Sequence, residues 1–137
     1  MAPQSTAGAG LARAEGLPGQ ARRKQVSQVA EPSAEVPAAS VPDGAWLLDV
    51  REDEEWTAGH APGATHIPLG QLGTRATEVP RDETIYVICR SGARSARAAF
   101  ALIQSGWSAV NVAGGMQDWA AAGRPMTTES GAEPYVA

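Results

Sequence analysis

The chain has 137 residues, 43% of them hydrophobic, and a net charge of −4, which is typical of one globular domain. No window approaches the ~18 consecutive apolar residues that a membrane-spanning helix requires, and the first residues lack the apolar core of a secretory signal. The single cysteine excludes an internal disulfide, and the absence of a Cys/His cluster excludes a structural zinc site. We therefore expect a reducing, cytoplasmic location, with no metal and no cofactor.

The distribution of charge and composition divides the chain. Residues 1–25 carry four basic residues and one acid and are rich in Ala, Gly, Ser and Pro, which predicts a disordered N-terminal tail. The remainder carries seven basic and fourteen acidic residues, and this acidic body argues against nucleic-acid binding. We expect the folded domain at residues 26–126 and a C-terminal tail at residues 127–137.

Short apolar runs alternate with amphipathic segments from residue 26 onward. A short edge strand at 26–29 is followed by a predicted helical turn to residue 36. Further strands are predicted at 45–50, 65–67, 85–88 and 110–112, and helices at 51–58, 69–79, 93–104 and 116–122. This alternation indicates an α/β domain whose central sheet is mostly parallel, with helices on both faces. In the helix at 93–104, the i, i+3, i+4, i+7 spacing predicts an inward face of Ala96, Ala99, Phe100 and Ile103.

The only cysteine, Cys89, follows the apolar strand at 85–88 and precedes the predicted helix at 93–104. Ligands of parallel α/β sheets bind at the carboxyl ends of strands, and loop N–H groups beside a helix N-terminus stabilise a thiolate. Arg90 and Arg94 favour the same anion and can attract an anionic substrate, and Ser91 or Ser95 can add a hydroxyl donor. Gly92 suits a sharp turn of the backbone. This pattern predicts a nucleophilic cysteine beside an anion pocket.

The other polar residues that attract notice are expected to be structural. His60 and His66 lie in Gly/Pro-rich turns without a third metal ligand, so a structural or solvated role is expected. Asp49 is expected to form an ion pair or cap with Arg51 or a hydrogen bond to a neighbouring loop. The acidic run at residues 52–55 is expected to form the first turn of a helix, where the helix dipole favours carboxylates. The tryptophans at 46, 56, 107 and 119 are scattered, so we expect each to contribute packing.

Four segments in order resemble the signatures of the single-domain rhodanese family. They are LLDVRE at 47–52, GHAPGATHIP at 59–68, CRSGARS at 89–95 and NVAGGMQDWAAAGRP at 111–125. The resemblance covers residues 26–126 and implies the rhodanese-like three-layer sandwich and sulfurtransferase activity. It also implies that Cys89 forms a persulfide and that Arg90, Ser91, Gly92, Ala93 and Arg94 form a substrate-binding cradle of backbone amides.

The resemblance further implies what the protein acts on. The expected donor is a small anionic sulfur compound such as thiosulfate, and the expected acceptor is a thiol or cyanide. Four residues separate Cys89 from Arg94, whereas cysteine phosphatases and arsenate reductases use a ring that is one residue longer, so the smaller ring suits a single sulfur atom. The alternatives are a rhodanese-like module for protein interaction or for carrying a persulfide with little turnover and, less favoured because of the short ring, a phosphatase.

Overall fold

The computed structural model describes residues 34–137, and their centre is a five-stranded sheet in which every pairing is parallel. The spatial order of the strands is β1-β5-β4-β2-β3. In chain order they are β1 (Glu35–Pro37), β2 (Trp46–Asp49), β3 (Thr65–His66), β4 (Ile85–Ile88) and β5 (Ala109–Ala113). The predicted α/β architecture with a mostly parallel sheet is confirmed. The predicted tail at residues 1–25 and the predicted strand at 26–29 lie outside the described residues.

Four α-helices lie in this part of the chain, of which three connect successive strands and the fourth follows β5. They are α1 (Asp53–Ala58), α2 (Leu72–Arg75), α3 (Ala93–Gln104) and α4 (Gly115–Ala121), and short 3₁₀ turns cover Ala38–Ser40, Leu69–Gln71 and Ala76–Glu78. The helix predicted at 69–79 is therefore broken into three short pieces. Gly70 and Gly73 explain the break, because glycine is a poor helix former. None of the helices among residues 34–137 is long and apolar enough to cross a membrane.

The edge strand β1 corrects the prediction of a helical turn before residue 36. Glu35 pairs with Asn111 and Val36 with Val112, so this segment extends the sheet beside β5. Pro37, which cannot donate a hydrogen bond to a ladder, stands at the end of this edge strand, where it is tolerated. The strand is too short for its own periodicity to distinguish it from a turn.

The core consists of two clusters, one on each face of the sheet. Neighbouring strand residues point to opposite faces, so Leu48 and Val87 belong to the cluster that includes α3, whereas Leu47 and Ile88 belong to the cluster that includes α4. Helices on both faces are thereby confirmed. Three of the four tryptophans lie in or against these clusters: Trp119 is buried in one, and Trp46 and Trp107 pack on the other. The fourth, Trp56, stacks on two histidines outside the clusters.

The predicted inward face of α3 is wrong for its large residues. Phe100 is 44% and Ile103 38% exposed, and the buried positions are Ser95, Ala98, Ala99 and Leu102. The small side chains of Ser95, Ala98 and Ala99 let the helix approach β4 and β5 closely. The helix is therefore rotated from the orientation that the largest apolar residues predict, and this rotation turns Ser95 toward Cys89.

A buried ion pair fixes the carboxyl end of β2. Asp49 and Arg51 are both 0% exposed, and the Arg51 guanidinium donates hydrogen bonds to the Asp49 carboxylate from Nε at 2.9 Å and from Nη2 at 2.8 Å. Arg51 Nη2 also donates to the carbonyl of Gly59 at 2.8 Å, which ties β2 to the end of α1. The structural role predicted for Asp49 is confirmed.

Residues 127–137, predicted as a tail, lie along the segment around residue 59. His60 and Thr127 exchange backbone hydrogen bonds of 3.0 and 2.8 Å, and the Tyr135 N–H donates to the Ala58 carbonyl at 3.0 Å. Val136 packs against the cluster that includes α4. A Cβ at Gly59 would lie 2.8 Å from the carbonyl oxygen of Tyr135, so this contact requires glycine.

Candidate active site

Cys89 lies at the carboxyl end of β4, a central strand flanked by β2 and β5. Its side chain is free and 1% exposed, and it belongs to the same buried cluster as Val87 and Ala98. Burial alone disfavours a thiolate, because an anion loses its hydration there. The neighbouring hydrogen-bond donors therefore decide whether the thiol ionises.

The backbone after Cys89 turns its N–H groups toward the sulfur. Gly92 adopts φ 114°, a left-handed conformation that favours glycine, and it caps the N-terminus of α3. Its N–H donates to Cys89 Sγ at 3.1 Å, and the Ser95 hydroxyl lies 3.3 Å from the same atom. The turn thus builds the anion site that the sequence predicts, with the predicted hydroxyl donor supplied by Ser95.

These contacts lower the pKa of the Cys89 thiol. Burial raises this pKa and is the largest single influence. The hydrogen bonds from the Ser95 hydroxyl and from the backbone N–H groups of Ser95, Gly92 and Ser91 together outweigh it. The direction agrees with the expectation from the sequence, although these donors, rather than the two arginines, account for the lowering.

The first turn of α4 holds the other side of the loop. The Met116 N–H donates to the Cys89 carbonyl at 2.8 Å, and the Gln117 N–H donates to the Arg90 carbonyl at 3.0 Å. Gly115 makes this approach possible: its φ is +54°, and a Cβ there would lie 2.6 Å from the Arg90 carbonyl oxygen. Two carbonyls that would repel an anion are thereby paired with α4.

Arg94 is paired with a carboxylate from α1. Its Nη1 and Nη2 donate to the two carboxylate oxygens of Glu55 at 2.8 and 2.9 Å. The hydrogen bond from Arg94 lowers the pKa of Glu55 to about 2, assisted by a backbone hydrogen bond from Glu52 and opposed by burial. The pKa of Arg94 is raised, first by the hydrogen bond to Glu55 and less by other charges, including that of Cys89. Arg94 is therefore a fixed cation beside the loop, and Glu55 takes up much of its charge.

The remaining predicted site residues lie at the surface of the loop. Arg90 is exposed and donates from Nε to the backbone carbonyl of Ala137 at 2.9 Å. Ser91 contributes its backbone N–H to the sulfur site, and Ala93 begins α3 with an exposed side chain. The Arg94 guanidinium is paired with Glu55 and the Arg90 Nε with Ala137, and the expected role of the two arginines in attracting an anionic substrate stays a prediction.

Two polar residues near the cysteine were missed. The sequence predicts that Glu55 belongs to the acidic first turn of α1. This prediction is confirmed, because Glu52 and Glu55 form a capping box there. Its second role is to bind Arg94, which lies 39 positions away in the sequence, and no pattern of neighbouring residues predicts this contact. Asn111 bonds to Ser95 behind Cys89, and the only hint in the sequence is an amide among the apolar residues of β5.

The two histidines are structural, as predicted. They stack against Trp56, His60 at 3.5 Å and His66 at 4.8 Å between ring centroids. His60 Nδ1 lies 2.8 Å from the Trp56 carbonyl, and His66 Nε2 lies 2.7 Å from the Arg51 carbonyl. Within residues 34–137, no group of three His, Cys, Asp or Glu residues is arranged to hold a metal ion.

The fold and site define an α/β domain with an ionisable cysteine in a ring of N–H donors at the end of a central strand. The family model for the rhodanese-like domain matches residues 32–122, and the chain belongs to this family. The predicted family and its three-layer fold are thereby confirmed.

Similar sequences and a similar crystal structure agree with this family assignment. YrkF of Bacillus subtilis, provisionally named a sulfur carrier protein, is 49% identical over 74 residues, which are 53% of this chain and 40% of YrkF. A protein of Allochromatium vinosum named sulfurtransferase is 37% identical over 86 residues, 62% of this chain and 80% of that protein. The crystal structure of a rhodanese-related protein from Thermoplasma volcanium superposes with a TM-score of 0.67 at 34% identity, covering 70% of this chain and 99% of that one. The chain thus covers less than half of the length of YrkF.

Replacing Gly115 by alanine is expected to disturb the loop around Cys89. The new Cβ would collide with the Arg90 carbonyl in addition to the cost of a left-handed conformation. Overpacking of this kind typically costs about 1–3 kcal/mol. Urea unfolding should show this loss, and alkylation of Cys89 should shift to higher pH because the N–H groups move away from Sγ.

Gly123→Ala is the matched control, since Gly123 has φ +74° but nothing within 4 Å of the added Cβ. It should carry only the conformational cost and leave alkylation unchanged. Equal losses of stability in the two variants would contradict the close packing assigned to Gly115.

The Glu55–Arg94 pair predicts how stability depends on pH. Because the folded-state pKa of Glu55 is about 2 rather than the ordinary 4.5, its contribution is fully present above pH 4.5 and is lost as the pH falls toward 2. The difference in unfolding free energy between wild type and Glu55→Gln should therefore be constant at neutral pH and shrink in this acid window. Glu54→Gln, an exposed neighbour in the same turn, controls for the loss of one acid from the helix N-terminus. A difference that does not change with pH would contradict the pairing.

Proposed function

We propose that this protein is a sulfurtransferase that carries a sulfane sulfur as a persulfide on Cys89. The observation that carries the proposal is the set of N–H groups around Cys89 Sγ, with the Gly92 N–H at 3.1 Å, in a site that lowers the pKa of the thiol. Relatives named as a sulfurtransferase and provisionally as a sulfur carrier support it. We further propose a cytoplasmic location, because this chemistry requires a reduced thiol, and no nucleic-acid partner, because the body of the chain is acidic.

The first half-reaction charges the cysteine. The Cys89 thiolate attacks the outer sulfur of a donor such as thiosulfate and forms a new S–S bond. The S–S bond within the donor breaks, and sulfite leaves with the electron pair. The backbone N–H groups of Ser91 and Gly92 stabilise the negative charge on the persulfide, and the leaving group needs no proton.

The second half-reaction discharges the cysteine. A thiolate or cyanide attacks the outer sulfur of the persulfide, and the electron pair of the breaking S–S bond returns to Cys89. The transferred sulfur is thus attacked first by Cys89 and then by the acceptor, and the donor product leaves before the acceptor reacts. This order predicts double-displacement kinetics. The fixed charge of Arg94 lies beside this path and attracts anionic donors, although its pairing with Glu55 moderates the attraction.

The size of the ring favours sulfur over phosphate. Four residues lie between Cys89 and Arg94, and the Gly92 N–H already reaches the sulfur of the cysteine itself. A tetrahedral oxyanion needs space between the nucleophile and several donors, and a donor in contact with Sγ leaves little. In addition, Arg94 is engaged with Glu55 rather than directed at Cys89, whereas phosphoryl transfer depends on such a cation.

A carrier with slow turnover is the second candidate. The provisional name of YrkF and the engagement of both loop arginines by other groups favour it. Both candidates require charging of Cys89, and they differ in the rate at which a small acceptor discharges it. The acceptor of a carrier is a protein thiol, whereas cyanide or a small thiol suffices for an enzyme.

Steady-state kinetics with thiosulfate and cyanide test the proposal. Wild type should form thiocyanate with parallel double-reciprocal lines and show negligible hydrolysis of an aryl phosphate. Cys89→Ser should fold normally and lose sulfur transfer to the uncatalysed background, because a neutral hydroxyl is a poor nucleophile.

Stoichiometric charging of the wild type without turnover would select the carrier. Sulfur transfer by Cys89→Ser above background, or hydrolysis of the phosphate ester faster than sulfur transfer, would contradict the proposed function.

A further inference from the structure

A chain of hydrogen bonds runs from the edge of the sheet to the cysteine. Ser95 and Asn111 are 0% and 1% exposed, and they join Glu35 on β1 to Cys89 on the central part of the sheet. The Ser95 hydroxyl donates to Asn111 Oδ1 at 2.6 Å, and Asn111 Nδ2 donates to the Glu35 carboxylate at 2.8 Å. The same hydroxyl oxygen lies 3.3 Å from Cys89 Sγ. The ionisation of the thiol is thus connected to a side-chain amide that does not touch it.

The orientation of the Asn111 amide is determined by its neighbours. Its NH₂ group faces the Glu35 carboxylate at 2.8 Å and the Gly92 carbonyl at 3.3 Å, and both groups only accept hydrogen bonds. Glu35 and Asn111 are also register partners on adjacent strands, so the contact follows from the sheet itself. The amide oxygen must therefore face Ser95.

Ser95 has one hydroxyl proton for three acceptors, which are Asn111 Oδ1 at 2.6 Å, the Gly92 carbonyl at 3.2 Å and Cys89 Sγ at 3.3 Å, and Asn111 makes the shortest contact. Asn111 Oδ1 cannot donate, so the short 2.6 Å contact requires the hydroxyl proton to point at Asn111. The hydroxyl oxygen then has a lone pair for the S–H of a neutral thiol. A Cys89 thiolate, in contrast, needs the same proton, and the hydroxyl must turn away from Asn111 to supply it.

We propose that Asn111 is a positioning residue that competes with Cys89 Sγ for the Ser95 hydroxyl and so limits the stabilisation of the thiolate. Glu35 and the Gly92 carbonyl hold the amide in the competing orientation. The inference rests on the proposed function for the use of the thiolate, but it is tested on ionisation alone, without a sulfur donor.

The competition balances two requirements of the nucleophile. A thiol must ionise to react, but the intrinsic nucleophilicity of a thiolate falls as its pKa falls, and the best attacking thiol has a pKa near the ambient pH. The N–H groups of the loop and the Ser95 hydroxyl all lower the pKa of Cys89. Asn111 withholds the Ser95 hydroxyl from the sulfur. The thiolate still forms, but it accepts fewer hydrogen bonds and keeps more of its nucleophilicity.

The charged residues on the surrounding elements are not substituted in the variants of this test, and only Glu35 loses a partner when the Asn111 amide is removed. They are Arg90 and Arg94 after β4, Glu55 on α1, the Asp49–Arg51 pair at the end of β2, Glu35 on β1 and Asp118 on α4. A change that depends on both Ser95 and Asn111 therefore arises from the hydroxyl.

The test is the rate of Cys89 alkylation by iodoacetamide as a function of pH. Ser95→Ala removes a donor to the thiolate, so its midpoint should rise. Asn111→Leu, which keeps the approximate volume but removes the acceptor, should lower the midpoint by on the order of one pH unit, and its plateau rate at high pH should fall. In the Ser95→Ala background, Asn111→Leu should cause no further shift.

Further variants separate this role from a structural one. Asn111→Ala removes the acceptor with a smaller side chain and should shift the midpoint in the same direction as Asn111→Leu. Asn111→Asp keeps the acceptor, so its midpoint should not fall below that of wild type. Ser105→Ala, at the exposed other end of α3, is the control for loss of a hydroxyl and should change nothing.

Thermal melting and circular dichroism establish that each variant is folded. A midpoint that rises or stays constant when the amide is removed would overturn the inference, and so would an equal shift with and without Ser95. Because alkylation needs no sulfur donor, a wild-type protein inactive in sulfur transfer would contradict the proposed function and leave this result intact.

Discussion

The site depends on the pairing between the first turn of α4 and the carbonyls of Cys89 and Arg90. The Met116 and Gln117 N–H groups take up these two carbonyl oxygens at 2.8 and 3.0 Å. With the carbonyls turned toward α4, the N–H groups that follow in the loop are directed to the side of Cys89 Sγ. The pairing requires Gly115, since any Cβ there would meet the Arg90 carbonyl. Gly115, the first residue of α4, is therefore required for the loop after β4 to present N–H groups rather than carbonyls to the sulfur.

The pKa of the Cys89 thiol is set by two opposing effects, burial and hydrogen bonding. A thiol that is 1% exposed would ordinarily remain protonated, and burial is indeed the largest single influence on its pKa. Several short-range donors reverse that effect, and none of them carries a formal charge. Arg94 adds a cation whose charge is largely taken up by Glu55. A site stabilised mainly by neutral dipoles suits a reaction in which the sulfur stays anionic from thiolate to persulfide, because the charge to be stabilised does not change.

The sequence predicts the local parts of this arrangement and misses the distant ones. Strand β4 and helix α3 have the predicted bounds, because a β-branched apolar run and a helix bounded by Gly92 and Gly106 carry strong local signals. The pairing of Asp49 with Arg51 joins residues two positions apart and was one of the structural roles predicted for Asp49. The contacts of Glu55 with Arg94 and of Ser95 with Asn111 depend on which helix face meets the sheet. The apolar periodicity of α3 favoured Phe100 and Ile103, whereas close packing selects the small face that contains Ser95.

Mass spectrometry of the protein after incubation with thiosulfate tests the central claim most directly. The account predicts that the intact protein gains the mass of one sulfur atom and that peptide analysis assigns the added sulfur to Cys89. Cyanide should then remove it and release one equivalent of thiocyanate, and prior alkylation of Cys89 should prevent the gain. A protein that gains no sulfur from thiosulfate or from a persulfide donor, or that still gains it after Cys89 is blocked, would contradict the account.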